Sequence, residues 1–188
     1  MSSGSSAINE LTGPGEWYPV PGFYFSVMVL GVVPSEDDCS FKEVSGIEVR
    51  MDTETIPEGG VNNHEWTVPK GVKYSNLILK RGVMPSASYL SIWVQMFMIE
   101  DITEPIDPKN IIVILNNENG MPLYGWWFAN AYPVKWTIDP LDSMRNEYLV
   151  ESIEFSYQFF VQGSVTYVTA AAAAAAASAA ADDMAKYA

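Results

Sequence analysis

The chain has 188 residues, with 23 acidic and 10 basic side chains, one histidine, one cysteine and a formal charge of −13. That length fits one domain, and the charge opposes phosphate and anionic lipid, which excludes reading of nucleic acid. No apolar run reaches the ~20 residues of a membrane helix, and one His with one Cys leaves carboxylates alone to build a zinc site.

Residues 1–16 are rich in Ser and Gly, contain Gly13-Pro14-Gly15, and read as a flexible extension joined to a domain over 17–161. They show neither the basic nor the apolar region of a secretory signal, so folding in the cytoplasm is expected. Phe23 to Leu30 is a short β-branched and aromatic run, predicted as a strand. Cys39 follows Glu36, Asp37 and Asp38, neighbours that disfavour a thiolate, and reads as an unreactive loop thiol. From Gly46 the pattern has period two. Ile47, Val49, Met51, Thr53 and Thr55 alternate with Glu48, Arg50, Asp52 and Glu54, as in a half-buried antiparallel strand.

Gly59-Gly60 breaks the chain, and Val68 to Gly71 is expected to break it again before a strand over Tyr74 to Lys80. Tyr89, Ile92, Trp93, Met96 and Phe97 recur at helical spacing, which predicts a helix over Ala87 to Ile99 capped by Ser86 or Ser88. Asp101 to Asn110 reads as a loop. Ile111 to Leu115 and Met121 to Phe128 flank Asn119-Gly120, a strong hairpin signal, and 129–138 continues extended to a turn at Asp139-Pro140. The last strand is expected to run from Tyr148 to Val161. Leu149, Ile153, Phe155, Tyr157, Phe159 and Val161 line one side; Ser152, Glu154, Ser156 and Gln158 line the other. About six strands and one helix make a mainly β domain. Of 17 alanines, 13 fall between Gln162 and Ala188, so 162–188 reads as a separate, helical extension.

Catalytic patterns fail on inspection. His64-Glu65 opens like a zincin motif, but Val68 stands where a second imidazole is needed. The turn after Leu115 lacks the first ligand of a calcium loop, and no phosphate loop or nucleophile elbow is present. No enzyme activity, metal or cofactor is expected. Glu151 is the one charge on the apolar side of the last strand; a structural ion pair with Lys80, Arg81 or Lys135 is expected there.

Tyr18-Pro-Val-Pro-Gly-Phe-Tyr-Phe25, Ser40-Phe-Lys-Glu-Val-Ser-Gly-Ile47, Leu77-Ile-Leu-Lys-Arg-Gly82, Ala129-Asn-Ala-Tyr-Pro-Val-Lys135 and Asn146-Glu-Tyr-Leu-Val-Glu-Ser-Ile153 stand in the order seen in one family. In these stretches the chain resembles the T-even-type phage tail-tube family of contractile tails and extracellular contractile injection systems. The resemblance implies an antiparallel two-sheet β-sandwich or barrel with one flanking α-helix, assembling as a hexameric ring. It implies rings stacked into a tube inside a sheath, with sheath subunits and baseplate or spike proteins as partners. Protein cargo or DNA would pass the lumen without specific binding, and nothing would insert in a membrane.

By the same resemblance, Met51 to Lys73 corresponds to a long loop that reaches an adjacent subunit or ring through Ile56, Gly59, Gly60, Val61 and Trp66. For Trp66, packing inside its own subunit is the alternative. Glu48, Asp52, Glu154, Ser156 and Gln158 form the candidate lumen lining, acidic or neutral. The chain departs from the family in its last 27 residues, and Phe159-Phe160-Val161-Gln162 replaces the usual His-Glu-Gly ending. A helix that short is marginal alone, so the extension is expected to lie against a sheath, baseplate or adjoining tube subunit. A tube-initiator ring at the baseplate and a soluble β-domain acting as a binding or adaptor module are the competing readings.

Overall fold

The computed structural model describes residues 22, 24–30, 41–56, 65–83, 88–99, 107–144, 146 and 148–174. Nine strands follow in chain order: β1 (Phe25–Val29), β2 (Glu43–Ser45), β3 (Val49–Ile56), β4 (Trp66–Tyr74), β5 (Leu77–Gly82), β6 (Lys109–Asn116), β7 (Pro122–Ile138), β8 (Val150–Ser156) and β9 (Phe159–Gly163). Two helices accompany them, α1 (Tyr89–Met98) and α2 over 165–174. All strand pairs are antiparallel.

Seven strands form one sheet in the order β1-β6-β7-β8-β5-β2, with β9 added to β7. The sheet turns on β7, which is 17 residues long. Its first half pairs with β6 and β9, and its second half pairs with β8. Between the halves Asn130 takes φ 51°, a left-handed conformation that Asn tolerates better than most residues. Its backbone N–H donates to Asn110 Oδ1 and its Nδ2 to Gln158 Oε1, both at 2.9 Å. The two halves therefore face each other across one core. Val27, Ile111, Val113 and Phe128 come from one side, Leu77, Leu79, Ile153 and Phe155 from the other, and α1 adds Leu90 and Val94. The path ends at β1 and β2, which do not pair with each other, so among the described strands the sheet forms a sandwich without a closed barrel.

The β6–β7 hairpin forms where its sequence predicts it. Asn117 Oδ1 accepts from the N–H groups of Asn119 and Met121 at 3.0 and 2.8 Å and closes the turn. Gly46, between β2 and β3, has φ +83°, and a Cβ there would lie 1.9 Å from the carbonyl oxygen of Asn76. Backbone cannot give way as a flexible side chain can. Gly46→Ala is expected to cost about 2 kcal/mol or more, measured as a lowered urea midpoint.

Several elements differ from expectation. Val68 to Gly71 does not break the chain; it lies inside β4, where the register shift opposite Asp52 and Thr53 accommodates Pro69. The 46–55 strand is not half-buried, because among the described strands β3 pairs only with β4 and both are exposed along nearly their whole length. The run 148–161 is two strands, since the chain leaves β8 at Tyr157 and crosses to the other half of the sheet as β9. Helix α1 starts at its N-cap Ser88, but it buries Leu90 and Val94 while Tyr89, Ile92 and Met96 face outward. Ser91 and Gln95 are its only polar residues, so periodicity could not fix which face turns inward.

The largest difference lies at the C-terminus. Helix α2 packs on its own chain, with Val168 and Ala172 buried against Ile112, Trp127 and Ala129. Gly125 makes room, since a Cβ there would already touch Val168 at 3.6 Å. This second apolar cluster explains the uninterrupted run Ile111-Ile112-Val113, in which all three residues are buried. One face of β6 meets the main core and the other meets α2. Residues 175–188 and the 1–16 extension lie outside the described residues.

Candidate assembly surfaces

The first surface is the arm formed by β3 and β4. Eight paired positions run from Val49–Tyr74 at its root to Ile56–Trp66 at its tip. Ile56 and Trp66 are 50% and 56% exposed. Of the other predicted contact residues, Gly59, Gly60 and Val61 lie outside the described residues, as do His64 and Cys39. The root is tied down by Tyr74, whose ring meets those of Tyr157 and Phe160 at 5.8 and 5.6 Å. A two-stranded hairpin buries too little to be stable alone in water, and this one leaves Val49, Met51, Val68 and Val72 exposed as well.

The second surface is the outer face of β2, β5, β8 and the end of β7. Alternation along β8 buries Glu151, Ile153 and Phe155 and leaves Ser152, Glu154 and Ser156 half-exposed. Lys80 bonds Glu43 at 2.9 Å and Lys135 bonds Glu154 at 3.1 Å. Cross-strand register sets Lys80 between Glu43 and Ser152, and Glu154 between Ile78 and Lys135. The Lys80 hydrogen bond, followed by its charge, holds the Glu43 carboxyl below its usual value against the opposing effect of burial. Two acids and two bases balance, so the face is polar and locally neutral.

The five lumen candidates do not share one face. Glu154 and Ser156 stand on this surface. Gln158 lies in the bend between β8 and β9, bonded to Asn130. Glu48 sits at the root of the arm, where its carboxylate accepts from Ser75 Oγ at 2.9 Å. Asp52 belongs to the arm itself, bonded to Lys73 and 3.9 Å from Arg50. The Lys73 hydrogen bond, then the Lys73 and Arg50 charges, hold Asp52 below its usual value. What the Glu43 and Asp52 pairs contribute is thus present at neutral pH and lost as acid protonates the carboxyls.

Of the three cations considered for Glu151, Arg81 is the one that reaches it. Arg81 and Glu151 are 1% and 3% exposed, and Arg81 Nε donates to Glu151 Oε1. Arg81 Nη2 also donates to Ser88 Oγ and Ser91 Oγ at 2.8 and 2.6 Å, and Trp136 Nε1 donates to Glu151 Oε2 at 3.1 Å. The pair fastens the start of α1 to β5 and β8, a structural role. Beside Tyr74, Phe128 and Phe160, the Tyr157 hydroxyl is buried without a hydrogen-bond partner among the described residues.

Burial first, then Tyr74 and Glu48, push the Tyr157 phenol up to about 12 from 10.0. The folded chain therefore keeps a proton that the unfolded chain releases. Stability from this group is complete below pH 10 and is lost as pH rises through about 12. Tyr157→Phe is expected to hold or raise stability by about 1 kcal/mol and to weaken that alkaline loss, measured by thermal melts across the range.

Sequence reasoning missed two apolar features, the outward face of α1 and the sheet face under α2. The first had an available signal, a helix without a charged residue. Among the described residues no group of three or more His, Cys, Asp or Glu could hold a metal, and no helix is long and apolar enough to cross a membrane.

Comparison with known proteins gives these surfaces their context. Among curated proteins none matches the chain. Solved structures do. A chain in the baseplate of the anti-feeding prophage is 26% identical with a TM-score of 0.69, covering 80% of this chain and 99% of that one. A chain in the sheath-tube complex of the PVC extracellular contractile injection system, in the extended state, is 25% identical with a TM-score of 0.66, covering 87% and 100%. A chain in the tube-terminating cap of the anti-feeding prophage is 25% identical with a TM-score of 0.66, covering 80% and 95%. The family model for T4-like virus tail tube protein gp19 matches residues 21–161, three quarters of the sequence and the whole described sandwich up to β9, and the chain belongs to that family of tube proteins of phage tails and contractile injection particles.

Proposed function

We propose that this chain is the repeating subunit of the inner tube, assembling as hexameric rings that stack within a sheath. The observation that carries the reading is the arm, whose large apolar side chains are exposed on both strands. Exposed apolar area of this kind marks a surface that another chain covers, and closed rings of identical subunits are the common way to cover it. The polar face of β5 and β8 is the side that lines the channel. Its balanced Glu43–Lys80 and Glu154–Lys135 pairs let protein or DNA pass without being held. Sheath subunits surround the tube, and baseplate or spike proteins meet its end.

A second reading is the initiator ring at the baseplate. It is favoured by the 26% identity to a baseplate chain over 99% of that chain's length. Negative-stain microscopy of the purified full chain separates the two: long striated tubes support the repeating subunit, and isolated rings support the initiator. A protein that sediments as a monomer at every concentration contradicts both.

A further inference from the structure

Of ten asparagines, Asn119 is the one followed by glycine, and the structure exposes that step at the end of the β6–β7 hairpin. Asparagine is chemically labile where the backbone nitrogen of the next residue can reach its Cγ, and glycine, with no Cβ, offers the least obstruction. At Gly120 φ is +75°, and the place a Cβ would take is open, with nothing within 4 Å. Among the described residues the Asn119 side chain makes no hydrogen bond. Other asparagines are held. Asn130 Nδ2 donates to Gln158 and Asn110 Oδ1 accepts from the Asn130 N–H, and each precedes a buried residue of the sheet, Ala131 or Ile111.

The turn itself restrains Asn119. The Gly120 N–H donates to the Asn117 carbonyl oxygen at 3.0 Å. Asn117 Oδ1 accepts from the N–H groups on either side of Gly120, those of Asn119 and Met121. The Gly120 nitrogen can attack only when this clasp opens. Residues 118–120 are exposed, and an exposed hairpin end opens locally without unfolding of the sandwich.

We propose that Asn119 is a site of spontaneous, water-driven deamidation in the folded chain, and that the Asn117 side chain sets its rate. The Gly120 nitrogen gives its proton to solvent base and forms a bond to Asn119 Cγ. The Cγ–Nδ2 bond breaks, and the amide nitrogen takes a proton from solvent and leaves as ammonia. Water then opens the cyclic imide. Attack at Cγ leaves aspartate; attack at the backbone carbonyl leaves isoaspartate, which carries the main chain through Cγ and lengthens it by one methylene. In total one water enters and one ammonia leaves. Either product adds a carboxylate to a chain already at −13, and the isoaspartate backbone no longer fits the two bonds to Asn117 Oδ1. The chemistry is independent of the tube reading above, since it needs only this chain and water.

Full-length parent, Asn117→Ala, Asn117→Asp and Asn119→Gln are incubated in mildly alkaline buffer below their melting temperatures. Peptide mass spectrometry with isoaspartate detection follows every asparagine, and urea-unfolded parent gives the unrestrained rate. In the folded parent Asn119 is expected to convert ahead of all other asparagines, and faster as pH rises, because the nucleophile is the deprotonated nitrogen. Asn117→Ala removes the oxygen that holds two N–H groups and is expected to convert Asn119 about tenfold faster. Asn117→Asp keeps that oxygen and stays near the parental rate, and Asn119→Gln, with its amide one carbon further out, stays unconverted at 119. Conversion of Asn119 in the folded parent no faster than that of Asn117 or Asn130 overturns the site. Equal rates in folded parent and Asn117→Ala overturn the clasp. Should Asn117→Ala fail to fold, equal rates in folded and urea-unfolded parent overturn it instead.

Discussion

Glu151→Ala is expected to destabilise the chain by about 3–5 kcal/mol, enough to leave a domain of this size marginally folded. The Arg81 guanidinium lies buried at the N-terminus of α1, where Ser88 and Ser91 hydroxyls hold it. A helix N-terminus is already partly positive, and the first turn of α1 contains no acidic residue. Glu151 supplies the charge that offsets both, and its loss also orphans the Trp136 indole N–H. Replacing the pair together, as Arg81→Met with Glu151→Leu, removes both buried charges and should recover most of the stability. Urea unfolding of the single and double variants checks this. An unchanged midpoint for Glu151→Ala would contradict the pairing.

Val168→Asp is expected to release α2 while the sandwich stays folded. Full burial of a valine contributes about 1.5–3 kcal/mol, and Val168 is the largest fully buried side chain of the helix. An ionised carboxylate among Ile112, Trp127 and Ala129 would cost several kcal/mol, more than docking contributes. A freed helix of this length does not persist in water, so helical signal falls and proteases cut after Ser164. Trp127, buried in the parent, should show a red-shifted emission, and the exposed sheet face should promote aggregation. A variant with parental emission and protease resistance would mean that the helix is not held by this contact.

How much of this was legible in the sequence depended on whether local pattern and burial agreed. The β6–β7 hairpin was readable because Asn119-Gly120 sits between apolar runs, and the inner face of β8 because Ile153 and Phe155 alternate with polar residues. The buried partner of Glu151 was narrowed to three cations, but choosing Arg81 required the cross-strand register with β5. The arm misled because its root alternates like a half-buried strand; what the apolar side packs against is a tertiary fact, and among the described residues Val49, Met51 and Val72 are left exposed. Val68-Pro69-Lys70-Gly71 misled for a related reason, since a bulge lets a strand carry Pro and Gly. The extension beyond Gln162 read as helical from composition, but not as folded back, because among its described residues Val168 is the one large buried side chain. The uninterrupted apolar run of β6 already implied a cover on both faces; α2 provides the second.

In the proposed tube the arm meets other copies and the neutral face of β5 and β8 turns to the channel. Cryo-electron microscopy of the purified full chain tests this most directly. The account expects stacked hexameric rings in which Glu154 and Ser156 point into the channel and the arm contacts neighbouring copies. A persistent monomer, or rings whose channel is lined by any other face, would contradict it.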